Sequence, residues 1–372
     1  MLMEHILVVG CGLSGCVIAE QFANNNFDVT IIESRDHIAG NCYDFIDDNG
    51  ILVSKYGAHI FHTNNDNVWK YVNKFSKWNK YEHKVLGKVD NKLVPIPVNI
   101  NTVNSIMNTN IDSIESMNEW LKQNQIKYPN GIMNGEEAAK NRVGEVLYEK
   151  IFKHYTKKQW DKYPIELNAS VLQRIPIRNN WDPRYFTDKY QGLPKDGYTE
   201  MIKNIIKHPN INVHLNIDYN EYIKTNKISF SKTFYTGPID HYFSHIGYPK
   251  LEYRSIRFEW ETYKDIEFYQ DAAVINYPGN DVDYTRIVEF KHFMSKKKSN
   301  GTTIVKEYST STGDPYYPVL NSKNIELYEK YKKLSEDNKN IIFVGRLANF
   351  KYFNMDQAIE NALNISKKHL FI

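Results

Sequence analysis

Two hydrophobic periodicities alternate along the chain. Ile6-Leu7-Val8-Val9 is an unbroken apolar run of the length expected for a strand buried on both faces. Residues 16–24 then read as a helix, with Val17, Ala19 and Phe22 available for packing, and 28–33 (DVTIIE) as a second strand closing on an acid. Near the other end, 340–344 reads as a strand. A helix beginning near Asn354-Met355-Asp356 carries Ala358, Ile359, Ala362, Leu363 and Ile365 at helical spacing. Between these ends, 81–98 reads as a hairpin turning at Asp90-Asn91. Residues 102–163 follow a helical pattern bounded by Pro129-Asn130-Gly131 and Pro164. A glycine turn over 192–198 leads into a helix over 199–207, and short strands are expected at 212–215, 233–236, 251–260, 272–277 and 304–308.

The first strand runs into Gly10-Cys11-Gly12-Leu13-Ser14-Gly15, a G-x-G-x-x-G between strand and helix with Glu33 at the end of the next strand. In that context the first glycine makes a tight turn, the second lets backbone approach a pyrophosphate, and the third lets helix pack on strand. The helix N-terminus offers N–H groups to the phosphates. Glu33 suits a ribose hydroxyl and would repel a 2′-phosphate, which argues against NADP. A second strand-glycine-helix unit, Asn340 to Gly345-Arg346 and onward, lies far away in sequence. A long flavin dinucleotide needs such a unit and a short NAD half-site does not, so the pattern favours FAD. The first and last segments thus belong to one unit with the middle inserted. The expected fold class is α/β. A discontinuous Rossmann-like FAD-binding domain (1–80, 193–245 and 318–372) would carry an inserted helical domain (99–165) and an antiparallel β-sheet domain with a mobile loop (81–98, 166–192 and 246–317).

The length of 372 residues suits two or three domains. Lys+Arg 47 against Asp+Glu 44 leaves a net charge of +3, too little to build a strong global field for nucleic acid or anionic membrane. Mean hydropathy is −0.57, and no apolar run reaches the roughly 18 residues of a membrane span. The 27 tyrosines tilt the surface toward sugar and nucleotide ligands, because a phenol combines a flat face with a hydroxyl. Cys11, Cys16 and Cys42 are odd in number and two crowd the glycine loop, so no disulfide framework is expected and a reducing, cytoplasmic setting is. Leu13-Ser14-Gly15-Cys16 has the form of a lipoprotein cleavage box. Residues 1–5 contain Glu4 and no Lys or Arg, which argues against a secretory leader.

Several polar clusters remain. His59 and His62, in YGAHIFHT, lack the acid or cysteine spacing of a zinc site and read first as one buried and one exposed histidine. His241 and His245 lack the glutamate of a metalloprotease helix and read as core or surface residues, so no metal is expected. Tyr155 and Gln159 share one helix face, where they can stack on a base and bond its edge; core packing of Phe152, Tyr155 and Trp160 explains the same pattern. Arg174 sits in a proline-stiffened stretch without a clear element, and Arg286 follows a strand and a Gly-Asn turn; both suit phosphate. Tyr316, Tyr317 and Tyr352 add phenols. Lys296-Lys297-Lys298 reads as a solvated loop without the interleaved aromatics of an RNA site.

In order along the chain, the glycine fingerprint, YGAHIFHT, YTKKQW, RIPIR, WDPRYF, YQGLPKDGYT, YTRIVEFKHF, DPYYPV and GRLANFKYFNMDQ resemble the bacterial UDP-galactopyranose mutases over nearly the whole chain. The resemblance implies interconversion of UDP-galactopyranose and UDP-galactofuranose for cell-surface glycans, by a homodimer that needs FAD in its reduced form. Flavin N5 would attack the anomeric carbon, UDP would leave and return, and no net redox change would occur. By matching motif, Arg174 and Arg286 would clamp the diphosphate, with Arg174 on a closing loop and Tyr185, Tyr317 and Tyr352 bonding its oxygens. Tyr155 would stack on uracil with Gln159 and Asn276 at its edge, Trp160 would line the sugar pocket, and His59 would lie beside the flavin. Gly10, Gly12, Leu13, Ser14, Gly15, Glu33, Ser34, Gly40, Asn41, Ile60, Gly345, Arg346, Met355 and Asp356 would hold FAD.

Three positions depart from the family pattern: Ala39 replaces Gly, Ala58 replaces Pro, and Asn354 replaces an Asp beside the substrate phosphates. Loss of that last charge leaves the sugar open between galactose and N-acetylgalactosamine, and the ordinary histidine at His59 favours galactose. A flavin oxidoreductase of the amine-oxidase type is the alternative on the same scaffold, and a non-catalytic UDP-sugar binder a third reading.

Overall fold

Five short strands pair in parallel to form the frame of the fold. His5–Val9 lies at the centre, flanked by Asp28–Ile32 and Lys232–Tyr235, and Ile211–His214 and Ile341–Phe343 complete the edges. These coordinates are a computed structural model describing residues 3–226, 228–294 and 300–370; the lysine run 296–298 lies outside the described residues. Apolar runs such as Ile6 to Val8 and Ile31-Ile32 are fully buried because helices cover both faces of the sheet, as parallel strands require. The fold is α/β and Rossmann-like. The first helix is Leu13–Ala23 and begins three residues before the hydrophobic pattern does. Its extended N-cap is Gly12, and the small residues Ser14 and Gly15 carry no apolar signal although both are turned inward. A Cβ on Gly15 would fall 2.0 Å from the Gly10 carbonyl oxygen, so only glycine lets the helix sit this close to the strand end.

A seven-stranded sheet forms the second layer. Its order is Tyr317–Pro318, Tyr253–Tyr263, Thr302–Thr310, Arg286–Glu289, Val274–Asn276, Val85–Val89 and Lys92–Ile96. Every step is antiparallel except Val274–Asn276 beside Val85–Val89, which is parallel. The expected hairpin turns at Asp90 and Asn91, both left-handed (φ 49° and 60°), a conformation these two residue types tolerate. The helical stretch resolves into Ile100–Met107, Ile114–Asn124, Gly135–Leu147, a π-type turn Tyr148–Lys153, and His154–Trp160. Asn99, Ser113 and Asn134 cap three of these helices by accepting backbone N–H groups. Helices and sheet share one core: Val103, Met117, Val143 and Leu147 pack in the same cluster as Val85, Val274, Val288 and Val305.

Two expectations are corrected. Gly192 is not in a turn; it belongs to the strand Tyr190–Pro194, which pairs antiparallel with both Phe61–Thr63 and Trp78–Lys80. A Cβ there would meet the Asn79 carbonyl oxygen at 2.8 Å, and the turn falls instead at Gly197 (φ +91°) before the helix Tyr198–Ile205. Arg174 is not in an elementless loop but ends a one-turn helix, Ser170–Gln173. His241 and His245, expected in the core or on the surface, are both exposed and lie on separate short turns, with His241 Nδ1 3.2 Å from the Tyr235 hydroxyl. Among the described residues no cluster of His, Cys, Asp and Glu could hold a metal, and no helix is long and apolar enough to cross a membrane.

The sheet and the segment before Tyr190 meet at His83, which is 4% exposed and whose carbonyl accepts the Tyr185 N–H. Burial, then the charge of Arg286 and His62, pushes its imidazole down to about 3. The unfolded chain takes up this proton near pH 6.5 and the folded chain does not, so the stabilisation is complete above 6.5 and is lost as pH falls toward 3. Thermal melts should therefore show Tm falling from pH 6.5 to 4, with a shallower acid limb in His83→Gln. An identical slope in both proteins would remove His83 as a source of acid sensitivity.

Candidate functional site

The glycine loop and the strand ends beside it enclose a cavity of about 490 Å³. Gly10 (φ +102°) lies against the neighbouring strand end, where a Cβ would stand 2.1 Å from Thr236 Oγ1. Gly12 faces Gly40, and a Cβ on Gly40 would come within 3.0 Å of the Gly12 Cα, so two side-chain-free backbones form a slot. The Glu33 carboxylate accepts the Cys11 N–H at 2.8 Å and the Arg35 N–H at 2.9 Å, which fixes it at the rim. Of the expected cofactor residues, Gly10, Gly12, Leu13, Ser14, Glu33, Ser34, Gly40, Asn41, His59, Gly345, Arg346 and Met355 line this cavity. Gly15 lies beneath the loop against the strand. Ile60 lines the neighbouring cavity, and Asp356 sits in the first turn of the helix Met355–Leu370 with a buried, unpartnered Oδ1.

A second cavity, about 620 Å³, adjoins the first, and His59, Arg346, Asn354 and Met355 line both. The structure brings Tyr155, Gln159, Arg174, Tyr185, Asn276, Arg286, Tyr317 and Tyr352 together around it. Trp160 is corrected: it is 4% exposed, packs with Leu167, Val171 and Val319, and lies one layer behind the Tyr352 ring at 6.4 Å. Five residues along a helix rotate it about 140° from Tyr155, off the cavity face.

Positive charge converges on a pair of phenols. Tyr317 and Tyr352 stack at 5.2 Å, the Arg174 guanidinium lies 4.0 Å over the Tyr352 ring, and that of Arg346 lies 5.5 Å away. Burial pushes the Tyr352 phenol up, but Arg174, Arg346 and Arg286 outweigh it and leave the phenol below its ordinary range. Arg286 donates from Nε to Glu307 Oε2 at 2.7 Å. Burial opposes the Arg286 charge and Glu307 overrides that opposition, raising its pKa further. His59 Nδ1 stands 2.8 Å from the Gly57 carbonyl oxygen, and burial, aided by the charge of Arg346 and Arg286, pushes the ring down to about 4. A neutral His59 donates from Nδ1 to that carbonyl and leaves Nε2 as an acceptor. Three guanidiniums with one buried carboxylate make a site for a ligand carrying more than one negative charge.

Glu307 and the partner of His62 escaped the sequence reading, and His59 and His62 are both half-buried, not one buried and one exposed. Glu307 lies on Thr302–Thr310 directly opposite Arg286, is 2% exposed, and keeps Oε1 without a partner. Its signal was a charge in the inward series Val305, Glu307, Ser309 of a period-two strand. His62 pairs through Nδ1 with Asp188 at 3.0 Å and stacks on Phe186 at 3.6 Å, and all three line the cavity. That pair spans 126 residues and left no local pattern.

A family model described as UDP-galactopyranose mutase matches residues 150–352, and one described as an NAD(P)-binding Rossmann-like domain matches 8–75. A protein named as a probable UDP-galactopyranose mutase in Klebsiella pneumoniae is 40% identical, over 99% of this chain and 95% of its own. The chain belongs to the UDP-galactopyranose mutase family. It is an enzyme of the mutase class, an isomerase with a Rossmann-like nucleotide-binding domain. A dTDP-fucopyranose mutase of Escherichia coli is 36% identical over 99% of both chains. A solved structure of reduced UDP-galactopyranose mutase shares the fold at a TM-score of 0.80 and 16% identity, covering 99% of this chain and 96% of that one.

Among the described residues Glu307 is the carboxylate bonded to Arg286, and Gly57 (φ +89°) makes room for it: a Cβ there would stand 2.9 Å from Glu307 Oε1. Glu307→Gln keeps the shape and removes the charge that orients Arg286. Mutase kcat/KM should fall roughly tenfold or more. Steady-state kinetics unchanged from wild type would take Glu307 out of the site.

Proposed function

We propose that this enzyme interconverts UDP-galactopyranose and UDP-galactofuranose by covalent catalysis with reduced FAD, supplying furanose for cell-surface glycans. The observation that carries the reading is the junction of the two cavities at His59, Arg346, Asn354 and Met355, with Arg174 and Arg286 lining the second cavity alone. A dinucleotide seated on the Gly10 loop and continuing past Gly345 would reach that junction, and the bare Gly12–Gly40 slot fits its pyrophosphate. The residues present therefore fit FAD, held by the glycine loop, Glu33, Asn41, Arg346 and Met355. Bound and reduced, it supplies a nucleophilic N5 for the anomeric carbon.

This chain's own part is to hold and release a nucleoside diphosphate. As the anomeric C–O bond breaks, charge grows on the diphosphate, and Arg174 and Arg286 stabilise it. Tyr185, Tyr317 and Tyr352 are placed to bond its oxygens. At the base end Tyr155 offers a ring face, and Asn276 keeps a buried Oδ1 without a partner, an acceptor suited to the uracil N3–H. Thymine presents the same N3–H, and the Escherichia coli relative acts on a dTDP-sugar by name, so dTDP-fucopyranose is the second substrate to assay. UDP-N-acetylgalactosamine is a further one, because Asn354 carries no charge at the junction. A cytoplasmic homodimer without nucleic-acid partners completes the reading.

Purified holoenzyme incubated with UDP-galactofuranose, with and without dithionite, should form the pyranose only when reduced. Conversion that needs a stoichiometric electron acceptor would point to an oxidoreductase, and no conversion in either state would reject the substrate. Arg174→Ala should lower turnover roughly 100- to 1000-fold while the flavin absorbance of the purified protein is unchanged. Full activity in that variant would remove Arg174 from the mechanism.

A further inference from the structure

We infer that Lys158 is a positioning residue for the base end of the substrate: its ammonium ties the helix carrying Tyr155 and Gln159 to the hairpin whose neck carries Asn276. This rests on the functional reading above, in which the nucleotide base lies at Tyr155. Lys158 Nζ donates to the carbonyl of Tyr277, and to those of Val282 and Tyr284 at 3.1 Å each. All three acceptors lie in the loop joining the strands Val274–Asn276 and Arg286–Glu289, where Asn276 and Arg286 face each other at the neck. The Tyr277 N–H to Thr285 carbonyl bond of 2.9 Å closes that neck. An ammonium has three N–H groups at tetrahedral angles and meets three carbonyls with none left over.

The placement on the helix gives this contact its consequence. Lys158 is three residues from Tyr155, a spacing that makes the two neighbours on the helix, and next in sequence to Gln159, so the contact anchors the turn that carries both side chains. On the other side, Arg254 Nε bonds the Gln159 carbonyl at 3.0 Å and Ser309 Oγ bonds the same oxygen. The helix end is thus held from the sheet side by Arg254 and from the hairpin side by Lys158. Asn280 Nδ2, 3.3 Å from His154 Nδ1, is a second and weaker tie on the hairpin side. Arg286 does not depend on Lys158, because the ladder to Thr302–Thr310 and the bond to Glu307 fix it independently. Loss of the ammonium would leave three carbonyls facing one another, and the loop would move off the helix. The base slot would then widen while the diphosphate clamp kept its geometry.

Equilibrium titration of the holoenzyme with UMP, UDP and inorganic pyrophosphate tests this. In Lys158→Met, UMP and UDP should bind roughly tenfold or more weakly, pyrophosphate should bind as in wild type, and KM should rise with kcat within a few-fold. Lys158→Arg keeps charge and donors in a flat fork that cannot meet three convergent acceptors, and should lose less UMP affinity than the Met variant. Unchanged UMP binding in both variants would overturn the inference alone, as would pyrophosphate weakening in step with UMP, the signature of general collapse. A wild-type protein blind to UMP and UDP would overturn the functional reading and this inference with it.

Discussion

Arg286 and Glu307 face each other across adjacent antiparallel strands, and their 2.7 Å contact determines where positive charge can collect in this molecule. Like charges crowd the cavity: Arg174, Arg286 and Arg346 all act on Tyr352. Without a fixed counter-charge such side chains would turn outward to water, which costs an arginine little. Glu307 prevents this for Arg286 from a buried position on the neighbouring strand. The register between the strands is therefore a functional quantity, since a slip of one residue in either strand would turn its side chains over and leave Arg286 and Glu307 on opposite faces. The four-pair ladder from Arg286 to Glu289 and the buried Ile287 and Val288 hold that register.

The same reasoning explains why the parallel sheet draws strands from both ends of the chain. The glycine loop is near the beginning, whereas Gly345, Arg346, Asn354 and Met355 arrive from the end, and the seven-stranded sheet comes between. The edge strand Ile341–Phe343 pairs with Lys232–Tyr235 and so delivers Gly345 beside Ser14, where a Cβ would come within 2.8 Å of Ser14 Oγ. Arg346 then reaches from the nucleotide cavity into the arginine cluster. Three residues of the returning segment, Arg346, Asn354 and Met355, thus belong to both cavities, and no local stretch of sequence could build that junction alone.

What could be read from sequence divides along the same line. The strand, glycine loop and first helix were legible because their signals lie within one short segment, and the hairpin at Asp90-Asn91 because two adjacent residues encode its turn. The strand Tyr190–Pro194 was misread because it exists only through partners more than 100 residues away in sequence at Phe61–Thr63 and near Trp78. Glu307 was missed for a related reason: a carboxylate on a strand looks solvated until its cross-strand arginine is known. Trp160 was drawn into the site by its neighbours in YTKKQW, although helical rotation carries it into the core. Its motif neighbour Lys158 carried no readable signal, because the three carbonyls it meets lie about 120 residues away in sequence.

His59 carries the electrostatic argument to its last step. It stands at the junction beside Arg346, and a protonated ring would add another cation to a cluster already balanced by a single carboxylate. Burial and the nearby guanidiniums hold it neutral down to about pH 4, so its charge does not change over the range in which an enzyme ordinarily works. Positive potential at the junction is then supplied by arginines alone, which stay charged at any such pH. On the proposed reading this is the arrangement the chemistry requires: a fixed field on the diphosphate side, where charge grows as the bond breaks, and a neutral acceptor on the cofactor side. A proton on His59 would add positive charge beside the cofactor and weaken the field's preference for the leaving group.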